Sequence, residues 1–224
     1  MAFPTTGVLE TFTGTLVAPP NAHWSSIGGI SQNIQQDGAG FGRDNSATLA
    51  GSGYWNTSTF GRASECFVTI VTLPSTTNKR TTLYLLTANP GSASLRNGYL
   101  LEWTFVTGAG NDTWTLQRVD NNVKTQIGST LTGNDLVAGD KAGFACDASG
   151  NFTAYSNTGG PWAALALTAT DTTYTAAGNI GISTTDFSGG TQTFDDFGGG
   201  TTVASALLPP FRSYQQAVNT AAIY

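Results

Sequence analysis

Hydrophobic and polar positions alternate with a period of two along most of the chain. The alternation breaks at clusters of Gly, Pro, Asn, Asp and Ser, spaced roughly every 8–12 residues as short strands joined by turns require. Val8–Phe12 and Ile30–Gln36 read as early strands, the second ended by Asp37-Gly38, and Ala47–Leu49 leads into Gly51–Trp55. Three longer strands follow: Cys66–Leu73 stopped by Pro74, Thr82–Ala88 stopped by Asn89-Pro90-Gly91, and Gly98–Thr107 stopped by Gly108. Trp114–Asp120 and Val123–Ile127 flank Asn121-Asn122, a pair that tolerates the positive φ of a tight hairpin. Asp140–Asp147 and Phe152–Ser156 flank Ser149-Gly150-Asn151 in the same way, and Gly178–Thr184 and Thr191–Phe197 close the series. Trp162–Thr170 is apolar and Ala-rich, and reads either as a loop carrying a short helix or as a strand. A dozen or so strands suffice for two stacked antiparallel sheets.

Composition narrows the picture. Charged residues make up 10% of the 224, against about 25% in an average soluble domain, and 9 Lys and Arg against 14 Asp and Glu leave a net charge of −5. The 28 Gly, with many Thr, Ser and Asn, disfavour a helical bundle. The positive residues are scattered, which argues against nucleic acid, because phosphate contacts need clustered Lys and Arg. No apolar run is long enough to span a membrane as a helix. The opening Met1–Gly7 lacks a basic region and an apolar stretch, so no secretory leader is expected. Cys66 and Cys146 lie far apart in strand-like contexts and read as buried free thiols. The length fits one all-β domain. Gly198-Gly199-Gly200 reads as the end of a domain over residues 1–200, with 201–224 as an extension containing Pro209-Pro210. Its apolar residues Leu207, Leu208, Phe211, Tyr214 and Ile223 either pack back on their own domain or contact another subunit. The second reading is favoured, because termini are usually polar unless tied down.

Several features follow one another in a telling order: Gly53-Tyr54-Trp55 before a core strand, Gly98–Trp103 in a central strand, and the Trp114–Ile127 hairpin. Next come Lys141–Phe144 with Asn151–Tyr155, then Gly178–Ile182, then the closing Phe194-Asp195-Asp196-Phe197. Over about residues 7–200 this order resembles the concanavalin-A-like jelly roll, in its laminin-G-like and glucanase-like branches. The resemblance implies an all-β, two-sheet antiparallel sandwich with an extended C-terminal tail. More narrowly, Pro4–Phe12 followed by Trp24 is similar to the start of jelly-roll proteins among the head-surface and minor tail components of tailed bacteriophages. That similarity implies a non-enzymatic virion protein, a capsid decoration, fibre or minor tail protein. It would be made in the host cytoplasm, carried on the particle surface, and partnered by other virion proteins as a homo-oligomer. The alternative is a stand-alone carbohydrate-binding module.

Candidate chemistry is sparse, since Glu occurs at three positions (Glu10, Glu65, Glu102) and His at one (His23). A glucanase of the resembled family carries Glu-x-Asp-x-x-Glu on a central strand, its carboxylates flanking the scissile bond. Here Glu102 is followed by Thr104 and Thr107 at the other two positions, so a polysaccharide-cleaving role fails at both, and the lone His23 offers no lyase site. Sugar binding without catalysis needs aromatic faces and hydrogen-bonding rims. Trp24, Tyr54, Trp55, Trp162 and Tyr174 fall near strand ends or loops and are the candidates, though each also fits a core position; Trp103 and Trp114 sit inside strands and read as core. No cofactor is expected beyond a structural calcium. Asp195 matches the place where glucanase relatives hold one between first and last strands, with Glu10 nearby. Asp195 and Asp196 equally read as solvent-facing residues.

Overall fold

A computed structural model describes residues 2–28, 32–44, 50–185 and 192–202. The described residues form sixteen strands and no helix. In chain order the strands are β1 (Val8–Glu10), β2 (Trp24–Ser25), β3 (Gln32–Gln36), β4 (Gly42–Asp44), β5 (Gly51–Trp55), β6 (Ser64–Thr72), β7 (Lys79–Ala88) and β8 (Asn97–Phe105). They continue as β9 (Thr113–Asp120), β10 (Val123–Gln126), β11 (Leu131–Thr132), β12 (Lys141–Cys146), β13 (Asn151–Asn157), β14 (Ala163–Thr170), β15 (Asn179–Thr185) and β16 (Thr193–Thr201).

The strands make two sheets. The first runs β10-β9-β8-β7-β15-β5, with β2 also on β5 and β11 on β9; the second runs β4-β16-β6-β12-β13-β14, with β1 beside β16. β3 belongs to both, because Gln32 and Asn33 pair in parallel with Gly51 and Ser52 while Ile34–Gln36 pair antiparallel with β4. The sequence drives this stacking through its alternation. Leu83, Leu85, Tyr99, Leu101, Trp103, Trp114, Leu116, Ile180 and Ile182 point inward from the first sheet. Cys66, Val68, Ile70, Phe144, Phe152, Ala154, Phe194 and Phe197 meet them from the second. Burying one such large side chain stabilises the fold by about 2–3 kcal/mol.

The expected jelly-roll sandwich is therefore the observed fold, and Cys66 and Cys146 are free and buried. The Asn121-Asn122 hairpin turns with φ of 46° and 66°. Three details sharpen the sequence reading. Trp162–Thr170 is a strand from Ala163 onward, paired to β13. The first strand stops at Glu10, and Phe12, at φ 49°, turns into the core. Gly198–Gly200 stand at the end of the last described strand without forming a turn. They lie inside β16, paired with Phe67, Cys66 and Glu65, because β6 comes too close for side chains: a Cβ on Gly199 would lie 2.3 Å from the Glu65 carbonyl oxygen. Ile30, Ala47–Leu49 and the tail residues Leu207, Leu208, Phe211, Tyr214 and Ile223 lie outside the described residues.

Candidate functional site

The five aromatic candidates do not converge. Trp24 is buried, its ring 5.9 Å from Phe12, 5.7 Å from Trp55 and 5.0 Å from Phe197. Trp55 is buried beside it and meets the exposed His23 at 5.0 Å. Tyr54 packs on a small cluster of Ile27, Tyr84, Leu100 and Val119 on the outer face of the first sheet. Tyr174 is tied into a polar network, its hydroxyl donating to Asp120 Oδ1 at 2.6 Å and its backbone N–H to the Tyr99 hydroxyl at 3.0 Å. Trp162 alone of the five lies against the outer face of the second sheet, its ring 6.1 Å from that of Phe67.

That outer face holds an open cleft of about 360 Å³. On β13, Phe152 and Ala154 face the core, so the alternation turns Asn151, Thr153 and Tyr155 outward, and all three line the cleft. Ala63, Ala145 and Ala148 give it an apolar floor, and Phe3 and Tyr155 give it an aromatic wall, the two rings stacked 4.0 Å apart and 2° from parallel. The β12–β13 turn forms one rim. There Asp147 Oδ1 accepts from the backbone N–H of Ser149 at 2.8 Å and of Asn151 at 3.0 Å, and Oδ2 accepts from the Asn151 side-chain amide at 2.8 Å. Partial burial opposes the Asp147 charge, but these donors outweigh it and hold the carboxyl below its usual range. Glu65, buried, stands at the back with Oε1 accepting from Thr5 and Thr6. Cys146 also borders the cleft, but burial pushes its thiol up to about 12, which keeps it protonated and unreactive. The arrangement can receive a neutral group that has one apolar face and several hydroxyls at its edges.

Of the five aromatic candidates, only Trp162 neighbours this wall and rim. Tyr155 carried a readable signal, as the one aromatic on the odd, outward positions of β13. Phe3, Glu65 and Asp147 carried none, because they reach the cleft through chain crossings no local pattern encodes.

A second polar centre joins Arg118 to Asp120 and Asp171, with Arg118 Nη1 2.8 Å from Asp171 Oδ2. Burial works against ionisation of Asp171, yet the Thr173 backbone N–H, the Tyr99 hydroxyl and Arg118 together hold its carboxyl down to about 2. Each of these groups is engaged by a neighbour, so the network acts as a clamp on the segment leading into β15. Glu102 is likewise held, 2.7 Å from Lys124 Nζ and 3.7 Å from Arg80 Nε, and Thr104 and Thr107 offer it no second carboxylate.

The calcium candidates fare poorly as ligands. Glu10 Oε1 accepts from the Phe12 N–H at 2.9 Å, and Oε2 accepts from the Asn21 amide and from the Trp24 indole at 3.2 Å. Asp195 lies close enough for the Glu10 charge to act on it, and burial first, then Asp196 and Glu10, raise its carboxyl above the usual value; its Oδ1 accepts from the Asp196 N–H. No group of three or more His, Cys, Asp or Glu that could hold a metal occurs among the described residues. A hard cation seeks about 6–8 oxygens, so these two committed carboxylates do not fit one.

No protein-family model matches the chain, and no curated protein matches it. Solved structures do. The VIP36 exoplasmic/lumenal domain, in its Ca2+/Man-bound form, superposes with a TM-score of 0.62 at 10% identity, covering 90% of this chain and 92% of its own. The carbohydrate binding module CBM66 from Bacillus subtilis gives 0.57 at 13% identity, over 78% of this chain and 93% of its own. The potassium-bound carbohydrate recognition domain of Emp46p gives 0.59 at 10% identity, over 88% and 97%. The chain thus has the concanavalin-A-like, lectin-type jelly-roll fold. Among the solved structures it is similar to are carbohydrate-binding domains.

Proposed function

We propose that the protein is a non-catalytic carbohydrate-binding domain, with the cleft beside Tyr155 as its sugar site. The observation that carries this reading is the cleft itself, where aromatic rings stand against a hydrogen-bonding rim of Asp147, Asn151 and Thr153. Rings of that kind stack on the C–H face of a sugar, and such rims read its hydroxyls. Its place in a fold shared with a Man-bound domain and a carbohydrate binding module supports the reading further. Glycan-array binding followed by calorimetry tests it. Tyr155→Ala should reduce affinity by about 1–3 kcal/mol, by analogy with the loss of one stacking ring. Trp24→Ala should act on stability instead, as a core residue. Absence of binding to any glycan, or binding indifferent to Tyr155→Ala, would exclude the site.

We further propose that this domain serves on a phage particle, as a surface protein that adheres to host glycans. The support is the Pro4–Phe12 and Trp24 similarity, whose residues form one packed unit: Glu10 bonds both Phe12 and Trp24. On this reading, deleting residues 203–224 should release the protein from particles and abolish self-association while leaving sugar binding intact. Particle fractionation and sedimentation check it; a truncated protein that stays particle-bound would count against an anchoring tail.

A further inference from the structure

The geometry points to a second ring-binding subsite in this cleft, which the chain fills with its own Phe3. The inference rests on the sugar-binding reading and extends it to a ligand class: an oligosaccharide of at least two rings. Phe3 sits in a box of aromatics, parallel to Tyr155 at 4.0 Å and edge-on to Trp162 at 4.9 Å and to Phe67 at 6.4 Å. The floor is flat because position 143 is glycine; a Cβ there would lie 2.6 Å from the Phe3 ring. The pocket is thus shaped for a flat, six-membered ring, and a sugar presents one of similar size with an apolar face.

The occupant is held without any strand pairing of its own. Residues 2–6 belong to no strand. Their polar hold is one carboxylate oxygen, Glu65 Oε1, which accepts from the Thr5 N–H at 2.5 Å, the Thr6 N–H at 2.6 Å, and the Thr6 and Thr5 hydroxyls at 2.7 and 3.2 Å. Phe3, Tyr155 and Trp162 are each only half-buried. Ala2 and Phe3 also line the open cleft, so lifting the arm would lengthen it without disturbing a sheet. A ring bound beside Tyr155 would then continue into the space that Phe3 leaves.

The test compares the full-length wild type with Phe3→Ala, using a monosaccharide and a matching series of longer oligosaccharides from the best glycan-array hit. The seated Phe3 ring masks the subsite, so Phe3→Ala should bind the longer sugars about tenfold more tightly, with a smaller gain for the monosaccharide. Thr5→Val with Thr6→Val, which loosens the arm but keeps the ring, should shift affinity the same way. In the wild type, the longer sugar should speed amide exchange at Thr5 and Thr6. Binding by wild type and variants with no tightening, or protection of those amides, overturns the subsite and leaves the sugar site standing. No glycan binding by any of the proteins overturns both.

Discussion

At Trp24 the indole N–H donates to Glu10 Oε2, and Phe12, Trp55 and Phe197 surround the ring. A residue whose chemistry suits sugar stacking is thereby spent on the core, and a residue whose chemistry suits calcium is spent on holding it there. Glu10→Gln replaces an acceptor by a donor within that bond set. It should cost about 1–3 kcal/mol in a denaturant melt. Asp171 predicts a pH dependence. Its folded carboxyl sits at about 2, below the unfolded value, so the unfolded chain binds more protons as pH falls. The stabilisation is complete above about pH 4 and is lost toward pH 2; with solvent screening it amounts to about 1 kcal/mol. Urea midpoints across that range should fall less for Asp171→Asn than for the wild type. None of these roles was legible beforehand, since each depends on which partner the fold brings within 3 Å or so.

Among the elements, the long strands were legible because one face of each is buried and the pattern must alternate. β6, β7, β8, β9 and β13 fall within a few residues of the sequence reading. The short pieces β2, β4 and β11 were not, since two or three residues cannot display a period. β14 stayed ambiguous because alanine is small enough to face either way, and five of its eight residues are exposed. The glycine run can be read two ways: glycine marks turns, but it also marks close backbone approach. Gly199 is the second kind, at φ 150° with the Glu65 carbonyl where a side chain would go. Gly199→Ala should therefore push β16 off β6 and destabilise the protein by about 2–4 kcal/mol, read as a lowered thermal midpoint, with loss of order at Phe197 and Cys66.

For the whole molecule, two stacked sheets could be anticipated from strand number and turn spacing, whereas their junction through β3 and the site could not. The cleft needs the N-terminal arm, the β6 strand and the β12–β13 turn to meet, and they are separated by long stretches of sequence. Sparse charge, which excluded several chemistries at the outset, suits such a site: its polar rim sets the Asp147 carboxylate beside an amide and hydroxyls, which together can bond the hydroxyls of a neutral partner. Ala2 and Thr202, at the two limits of the described chain, line the same cleft. A tag appended at the N-terminus, next to Ala2, will hang over the binding surface, so it should compete with ligand, and surface immobilisation through that terminus should blunt a binding signal. A label placed at the Asn121-Asn122 turn, in the other sheet, should leave it intact; biosensor titrations of the same protein tethered by the two routes would measure the difference.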